Sequence, residues 1–369
     1  MIDLIFSPSF GNRPKTLVGR SSVIQQFLSC LQAPKGSRER AVLLLGQRGS
    51  GKTVLLLELA DLAKKNGYIT ASPTVTTNGM LQRILEKLHD EGSSLLTSAR
   101  PKITGGSIGA LGFNAGIQFQ DLQEQPLSFS AQLTLLCKAF NDQKKGILIL
   151  IDEVQANNAE LRQLIIAYQE MVGAGFDISL VLAGLPGAIS ATLNDHVLTF
   201  LNRATKITLT DLSLPEIEAY YRQSFNKLKI NLNSDHCHTA ALAANGSPYM
   251  MQLIGHYITV FANEDGSIND DTFGHAIDSA KTDFINDICI TSLNRLSQAD
   301  IAFLKAMSPD SESSLTSKIA ERLDKSSAYV QNYKRRLIDA GIIKQVRRGE
   351  VAFDLPYLQN YLCHSEDED

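Results

Sequence analysis

The sequence lacks tryptophan, contains only five cysteines and has no long uninterrupted apolar run. The cysteines are widely separated and form no CxxC pair, which is typical of reduced thiols in a cytosolic protein rather than of a disulfide framework. No segment approaches the 18 consecutive apolar residues of a transmembrane helix, so we expect no membrane partner. The N-terminus lacks a basic segment followed by an apolar stretch, so we expect no signal peptide and a cytoplasmic location.

The overall charge of the chain gives no support for nucleic-acid binding by the protein as a whole. The chain carries 35 Lys and Arg against 39 Asp and Glu, which gives a net charge of −4. Any basic binding surface must therefore be local. The 369 residues are 44% hydrophobic and 20% charged, which indicates a soluble globular protein of two or three domains.

A glycine-rich octapeptide with the pattern G-x-x-x-x-G-K-T lies between an apolar run and a helical pattern. It consists of Gly46, Gln47, Arg48, Gly49, Ser50, Gly51, Lys52 and Thr53. Strand, loop and helix in this order form a P-loop, whose backbone N–H groups and helix N-terminus attract phosphate. We expect Lys52 to reach the β- and γ-phosphates of ATP and the Thr53 hydroxyl to ligate Mg²⁺.

A second apolar run, 146–151, ends in the carboxylates Asp152 and Glu153. Many strands end this way, but downstream of a P-loop this is the Walker B position. We predict that Asp152 helps to hold Mg²⁺ and that Glu153 polarises the attacking water. The Asp-Glu pair favours an ATP hydrolase of the additional-strand class over a kinase.

Apolar runs alternate with helical patterns up to residue 210, which predicts an α/β fold with a parallel sheet and helices on both faces. The predicted strands are 41–46, 68–75, 147–152, 178–184 and 205–210. The predicted helices are 52–65, 78–91, 129–144, 160–174 and 187–194. The glycine-rich segment 93–126 interrupts this pattern and predicts a loop or a two-stranded ribbon.

The rest of the chain predicts an α-helical lid followed by a winged-helix domain. Patterns such as 214–228 and 249–261 are helical. Helices at 297–307, 317–323 and 328–340 precede a stop at Gly341 and a hairpin over 342–353. We predict the domains 1–210, 211–293 and 294–362, with an acidic tail at 363–369.

The predicted winged helix is locally basic, with nine Lys and Arg against three Asp and Glu between positions 318 and 348. Phosphate contacts dominate nucleic-acid affinity, so this segment predicts a duplex DNA site. The candidate contacts are Ser326, Ser327, Tyr329, Asn332, Lys334, Arg335, Arg336, Arg347 and Arg348. The alternative is a module that docks protein, with its charges solvated.

These motifs together resemble AAA+ ATPases of the initiator clade, the origin-recognition and cell-division-control-like proteins. They equally resemble bacterial and archaeal ATPases grouped with the STAND signalling NTPases, and the resemblance covers residues 12–360. It implies that Val18, Gly19 and Arg20 contact the adenine and ribose. Taken alone, these residues indicate only a turn before a helix capped by Ser21 or Ser22. The resemblance also implies that Arg203 is an arginine finger on a neighbouring subunit's γ-phosphate.

Two departures from this pattern predict slow hydrolysis. The predicted fourth strand ends Leu182-Ala183-Gly184-Leu185, without the polar side chain expected there to hold the water or γ-phosphate. The segment 245–250 lacks the arginine that initiators carry and, with Pro248, resembles the Gly-x-Pro motif of STAND ATPases.

Two functions remain open at this stage, besides a pseudo-ATPase assembly subunit, which the intact Glu153 disfavours. In the first, ATP and ADP gate the binding of duplex DNA, in replication, mobile-element maintenance or transposition. In the second, a STAND-like signalling or defence switch uses its winged helix to control the nucleotide state and binds protein. Self-association, or a separately encoded effector protein, is an expected partner.

Overall fold

The computed structural model describes residues 5–6, 8, 14, 16–96, 127–196 and 198–364. Most of the glycine-rich segment and the acidic residues of the tail lie outside these residues. Across the described residues, none of the helices combines the length and apolar character that crossing a lipid bilayer requires.

The N-terminal half is built on a five-stranded parallel sheet, which confirms the predicted α/β class. The strands are β1 Ala41–Leu45, β2 Tyr68–Val75, β3 Gly146–Asp152, β4 Ile178–Gly184 and β5 Thr205–Thr208. Their order is β2-β3-β4-β1-β5. One strand, β4, therefore separates β1 from β3, as the Asp-Glu pair predicted.

Helices cover both faces of this sheet because successive residues of a strand point to opposite sides. They are α1 Ser21–Gln32, α2 Lys52–Lys65, α3 Met80–Leu96, α4 Phe129–Asn141, α5 Ala159–Gly173 and α6 Pro186–Leu193. Val42 and Leu148 pack in one core with α1 and α2. Leu43 and Ile149 pack in the other core with α3, α4 and α5.

Four helices follow the sheet, and side-chain caps fix where three of them begin. They are α7 Leu214–Leu228, α8 Ser234–Ala244, α9 Pro248–Phe261 and α10 Asp270–Phe284. Asn233, Ser247 and Asn269 each accept a hydrogen bond from the backbone N–H three residues later, which satisfies a donor that the helix leaves unpaired. Helix α10 continues through a π-helix, Ile285–Ile290, into α11 Thr291–Leu293.

The C-terminal region combines helices with a three-stranded antiparallel sheet. Its elements are α12 Gln298–Met307, β6 Ser314–Leu315, α13 Thr316–Leu323, α14 Ser327–Asp339, β7 Ile343–Arg347, β8 Glu350–Phe353 and α15 Leu358–His364. The sheet order is β6-β8-β7. We call residues 294–362 the C-terminal module. Strand β6 was not predicted, because two residues show no periodicity and it forms only by pairing with β8.

One continuous hydrophobic core joins α7–α10 to the C-terminal module, running from Tyr221 and Ile254 to Phe303 and Leu337. Phe6 from the N-terminal segment inserts into the same core and is 1% exposed. Its ring lies 5.1 to 6.1 Å from the rings of Tyr220, Tyr221 and Phe225. The start of the chain thus holds the helical region in place.

We expect Phe6→Ala to lower the free energy of unfolding by about 3 to 5 kcal/mol, because it removes a buried ring from a packed aromatic cluster. Urea unfolding followed by circular dichroism measures the change. As a control, Leu242→Ala removes a side chain that is 56% exposed and should change stability by less than about 0.5 kcal/mol. Equal midpoints for the two variants would show that the N-terminal segment does not hold the helical region.

A candidate nucleotide-binding site

The glycine-rich loop connects β1 to α2, in the strand–loop–helix context that the sequence predicted. Gly49 and Gly51 have φ angles of +73° and +84°, a left-handed conformation that glycine adopts without a steric penalty. Gly51 is the N-cap of α2, so the free N–H groups of the first helical turn border the loop. These donors and the helix dipole make the loop an anion-binding site.

Lys52 folds back over this loop. Its Nζ donates hydrogen bonds to the carbonyl oxygens of Gly46, at 2.9 Å, and Gln47, at 2.7 Å. Burial lowers the pKa of Lys52 to about 8, although the nearby charge of Asp152 opposes the shift. A partly desolvated ammonium group in a loop of this kind is suited to bind phosphate oxygens.

The two predicted magnesium ligands are adjacent. The Thr53 hydroxyl donates to Oδ2 of Asp152 at 2.6 Å, and Asp152 is 3% exposed. The hydroxyl oxygen of Thr53 and the carboxylate oxygens of Asp152 are suitable ligands for Mg²⁺, because proteins bind this ion through few side chains together with phosphate oxygens. Within the described ranges, no cluster of three His, Cys, Asp or Glu side chains could hold a metal ion alone.

Glu153 follows in a left-handed conformation, with φ of +49°. This is unfavourable for a residue with a Cβ, and such strain is often found at functional positions. The turn is held by two hydrogen bonds, from the N–H of Glu153 to Oδ1 of Asp152 and from the N–H of Val154 to the carbonyl of Ala183. The Glu153 carboxylate is exposed next to the loop.

Arg20 ties the N-terminal segment to the loop. Its guanidinium donates to the carbonyl oxygens of Thr210, at 3.0 Å, and Ser50, at 3.2 Å. Burial lowers the pKa of Arg20, while Glu216 and Asp211 raise it. The predicted capping of α1 by Ser21 or Ser22 is wrong: Arg20 is the N-cap residue, and no side chain caps the helix.

The other implied base contacts lie where the sheet meets α7 and α9. Val18 packs against the helical core, and a Cβ added to Gly19 would lie 2.7 Å from Cδ2 of Leu212. A Cβ added to Gly49 would lie 3.5 Å from Cβ of Tyr249. Pro248, the first residue of α9, is therefore next to the loop.

A polar cavity of ≈ 340 Å³ opens where these segments meet. Its walls come from the loop (Gln47–Ser50), from Asp211 and Pro248, and from the C-terminal module (Lys344 and Phe353). The sequence did not predict that the C-terminal module would border the loop, since more than half of the chain separates the two. Burial raises the pKa of Asp211 on this wall.

Arg203 lies elsewhere. It ends a 3₁₀-helix, Thr199–Arg203, immediately before β5 and is exposed. No contact found among the described residues joins it to the loop of its own chain. Its role as an arginine finger on a neighbouring subunit stays a prediction.

The candidate DNA contacts cluster on α14 and the β7–β8 hairpin, but several of them are buried or make contacts within the protein. Ser326 caps α14, and Tyr329 packs on Tyr333 with ring centroids 4.5 Å apart. Besides Ser326, the exposed candidates are Ser327, Asn332, Arg335, Arg336, Arg347 and Arg348.

Lys334 is only 8% exposed, so little of this side chain is accessible for the expected DNA contact. Its position places it on the buried face of α14, with Val330 and Leu337. The guanidinium of Arg336 is also less available to DNA, because it pairs at 2.8 Å with Asp300. The side chain of Asp300 is only 1% exposed. Arg347 pairs with Glu350.

Comparison with known proteins agrees with this geometry. Residues 16–181 match the family model of the AAA ATPase domain, and residues 286–362 match a domain of unknown function. The AAA ATPase match covers the phosphate loop and the strand end with Asp152 and Glu153. No curated protein matches the chain in sequence.

Several solved structures share the fold of the described residues. A Walker-type ATPase of Pyrococcus abyssi is 15% identical, with a TM-score of 0.67 over 98% of this chain and 100% of that one. The ORC2 protein of Aeropyrum pernix, in ADPNP-ADP complexes, is 13% identical, with a TM-score of 0.64 over 98% and 96%. CDC6P of Pyrobaculum aerophilum is 17% identical, with a TM-score of 0.51 over 97% of both chains. The match to the AAA ATPase domain supports nucleotide binding and ATP hydrolysis in general.

The lowered pKa of Lys52 predicts how nucleotide affinity depends on pH. Phosphate binding requires the protonated amine, so affinity should be flat below pH ~8 and fall as pH rises through ~8. The limiting slope is about tenfold per pH unit, because one proton is taken up on binding. Titrations with a fluorescent ADP between pH ~6.5 and ~9.5 measure this dependence. In Lys52→Arg the cation does not titrate in this range, so a fall of the same size in that variant would assign the titration to another group.

Proposed function

We propose that this protein is a slow, Mg²⁺-dependent ATP hydrolase that acts as a nucleotide-controlled switch and binds duplex DNA through its C-terminal module. The observation that carries the ATPase part is the contact between Thr53 and Asp152, with Lys52 and Glu153 beside it. It brings the phosphate loop and the acidic strand end to one place in an AAA fold.

Each residue has a distinct role in this proposal. The loop amides and Lys52 hold the β- and γ-phosphates, and Thr53 and Asp152 hold Mg²⁺. When bound, the ion neutralises charge on the phosphate oxygens. Glu153 accepts a hydrogen bond from the attacking water and orients it for in-line attack.

Hydrolysis is expected to be slow because two kinds of stabilising group are absent from the usual positions. Strand β4 ends in Ala183 and Gly184, and α9 begins Pro248-Tyr249. Loss of one donor to the transition state typically lowers turnover by roughly 10²–10³. Turnover near ~10⁻² s⁻¹ or lower would resemble that of switch NTPases.

The order of elements in the C-terminal module supports a winged helix. Helix α12, strand β6, helices α13 and α14 and the β7–β8 hairpin follow each other as helix, strand, helix, helix and wing. In a helix-turn-helix arrangement, α14 would enter the major groove. Exposed Arg335 on α14 and Arg348 on the hairpin would contact phosphates.

ATP turnover at low salt, measured with and without duplex DNA, tests the proposal. We expect Lys52→Ala to abolish turnover, because it removes the cation that binds the phosphates. We also expect DNA to raise wild-type turnover. Lys65→Ala, at the exposed end of the same helix, is the matched control and should behave as wild type. Unchanged turnover in Lys52→Ala would contradict the ATPase proposal, and indifference to DNA would contradict the DNA-coupled switch.

The DNA contacts are best tested with Arg335→Ala combined with Arg348→Ala. Arg336 is a poor choice, because its removal leaves the buried carboxylate of Asp300 unpaired, which is costly. Loss of two phosphate contacts should weaken DNA binding and reduce the slope of log K against log salt by about 2. A fluorescence anisotropy titration at several salt concentrations measures both. Lys65→Ala with Lys227→Ala removes two exposed charges outside the module and should change neither.

One observation favours the alternative, a STAND-like switch whose C-terminal module controls nucleotide release. The end of α14 packs on the AAA domain: a Cβ added to Gly187 would clash with the carbonyl oxygen of Asp339. A Cβ added to Gly341 would clash with Oε1 of Gln47, in the phosphate loop. In that function, the Arg335→Ala/Arg348→Ala variant would release ADP at an altered rate without a DNA effect.

A further inference from the structure

Helix α15 packs on the turn that follows α12. The side chains of Gln359 and Cys363 in α15 both donate to the carbonyl oxygen of Ser308, at 3.0 and 3.3 Å. Gln359 also donates to the carbonyl oxygen of Asp310. Because α15 ends at His364, one residue after Cys363, the chain leaves the C-terminal module beside this turn.

Two basic side chains of α13 lie at the same turn. Arg322 donates to both carboxylate oxygens of Asp310, at 2.6 and 2.8 Å, and to the carbonyl oxygen of Ala306 at the end of α12. Lys318 is four positions before Arg322 and therefore on the same face of α13. The hydrogen bonds from Arg322 lower the pKa of Asp310, and the charge of Lys318 acts in the same direction. The turn thus lies within the positive field of both side chains.

A third basic side chain comes from α12. Lys305 lies in the last turn of this helix, and its carbonyl oxygen accepts from the N–H and the hydroxyl of Ser308, at 3.3 and 2.9 Å. We call Lys305, Lys318 and Arg322 the basic face. Lys318 is exposed and forms no ion pair within the part of the chain that the structure describes. Arg322 keeps 32% of its side chain exposed although it is paired. The basic face is therefore accessible to a further anion.

The residues that follow α15 carry the complementary charge. Positions 365–369 read Ser-Glu-Asp-Glu-Asp and supply four carboxylates. We call them the acidic segment. Five extended residues span up to ~17 Å, whereas Lys318 and Arg322 are only about 6 Å apart along their helix. The acidic segment begins beside the turn that holds Arg322, so its carboxylates are within reach of the basic face.

We propose that the acidic segment binds the basic face of its own chain and competes there with the phosphates of DNA. The binding of the segment is independent of the proposed DNA site, and only the competition rests on it.

Covalent attachment makes this weak interaction effective. Exposed ion pairs contribute little when the partners are separate molecules. A short linker holds the carboxylates near the basic face at an effective concentration of about 1 mM or more. A DNA duplex must displace the segment to reach Lys318, so fewer counterions are released on binding. DNA binding is then weaker and less dependent on salt than the exposed cations of the module alone would give.

Carbodiimide cross-linking of the full chain without DNA, followed by peptide mass spectrometry, tests the contact directly. This reagent joins a carboxylate to an amine only when the two are in contact. We expect amide bonds from the acidic segment to Lys305 or Lys318, and we expect them to disappear at ~1 M salt, where charges are screened within about 3 Å. Lys344 and Asp354, 3.1 Å apart, are the positive control, and exposed Lys227 on α7 is the negative control. Absence of these cross-links, or equal cross-linking of the segment to Lys227, would overturn the contact.

Fluorescence anisotropy with duplex DNA at several salt concentrations tests the competition. The variant replaces the four carboxylates with amides: Glu366→Gln, Asp367→Asn, Glu368→Gln and Asp369→Asn. We expect it to bind DNA roughly five- to tenfold more tightly at ~0.1 M salt, with a slope of log K against log salt that is steeper by about 1, the effect of one phosphate contact regained. Adding Lys318→Ala to this variant should return the affinity close to that of the wild type.

A matched variant separates competition from net charge. It neutralises four exposed carboxylates outside the module, with Asp90→Asn, Asp142→Asn, Glu264→Gln and Asp271→Asn. It should bind DNA as the wild type does. An equal gain in this variant, or no gain in the variant of the acidic segment, would overturn the competition. If no variant bound DNA, the proposed DNA function and the competition would both be refuted, while the cross-links would still decide whether the segment binds the basic face.

Discussion

The hydrogen bond between Thr53 and Asp152 joins segments 99 residues apart, and it depends on the register of one parallel sheet. Strand β4 pairs with both β1 and β3, so the three strands end at the same edge. That edge brings the phosphate loop and the acidic strand end together, as expected for ligand sites of doubly wound sheets. The left-handed turn at Glu153 and the buried residues of β3 before it also help to hold Asp152 beside the phosphate loop.

Three parts of the chain pack on the phosphate loop, so the loop contacts the N-terminal segment, α9 and the C-terminal module at once. Arg20 bonds to it from the N-terminal segment, Tyr249 approaches it from α9, and Gly341 packs on Gln47 from the C-terminal module. Because α7–α10 and the module share one hydrophobic core, they are expected to move together. In the proposed switch, a change at the phosphates would reach the module directly, without a chain of intermediate contacts.

Local sequence patterns predicted the sheet, most helices and the phosphate loop because each has a period or motif that a short window reveals. The five strand predictions agree with the structure to within a residue or two at their ends. What local patterns missed depends on distant partners. The two-residue strand β6 exists only through β8, and Lys334 is buried by the packing of its module.

Between positions 318 and 348, fewer basic side chains are free to contact DNA than the excess of Lys and Arg over Asp and Glu suggests. Four of the nine are paired with nearby carboxylates: Arg322 with Asp310, Arg336 with Asp300, Lys344 with Asp354 and Arg347 with Glu350. Lys334 is buried. The four that remain exposed are Lys318, Lys325, Arg348 and Arg335, the last at 3.9 Å from Asp339. With at most four phosphate contacts from these side chains, log K should fall with log salt at a slope no steeper than about −4. So small an electrostatic contribution would suit the proposed switch, in which the nucleotide state makes or breaks the DNA contact, since allosteric coupling between two sites is typically only a few kcal/mol.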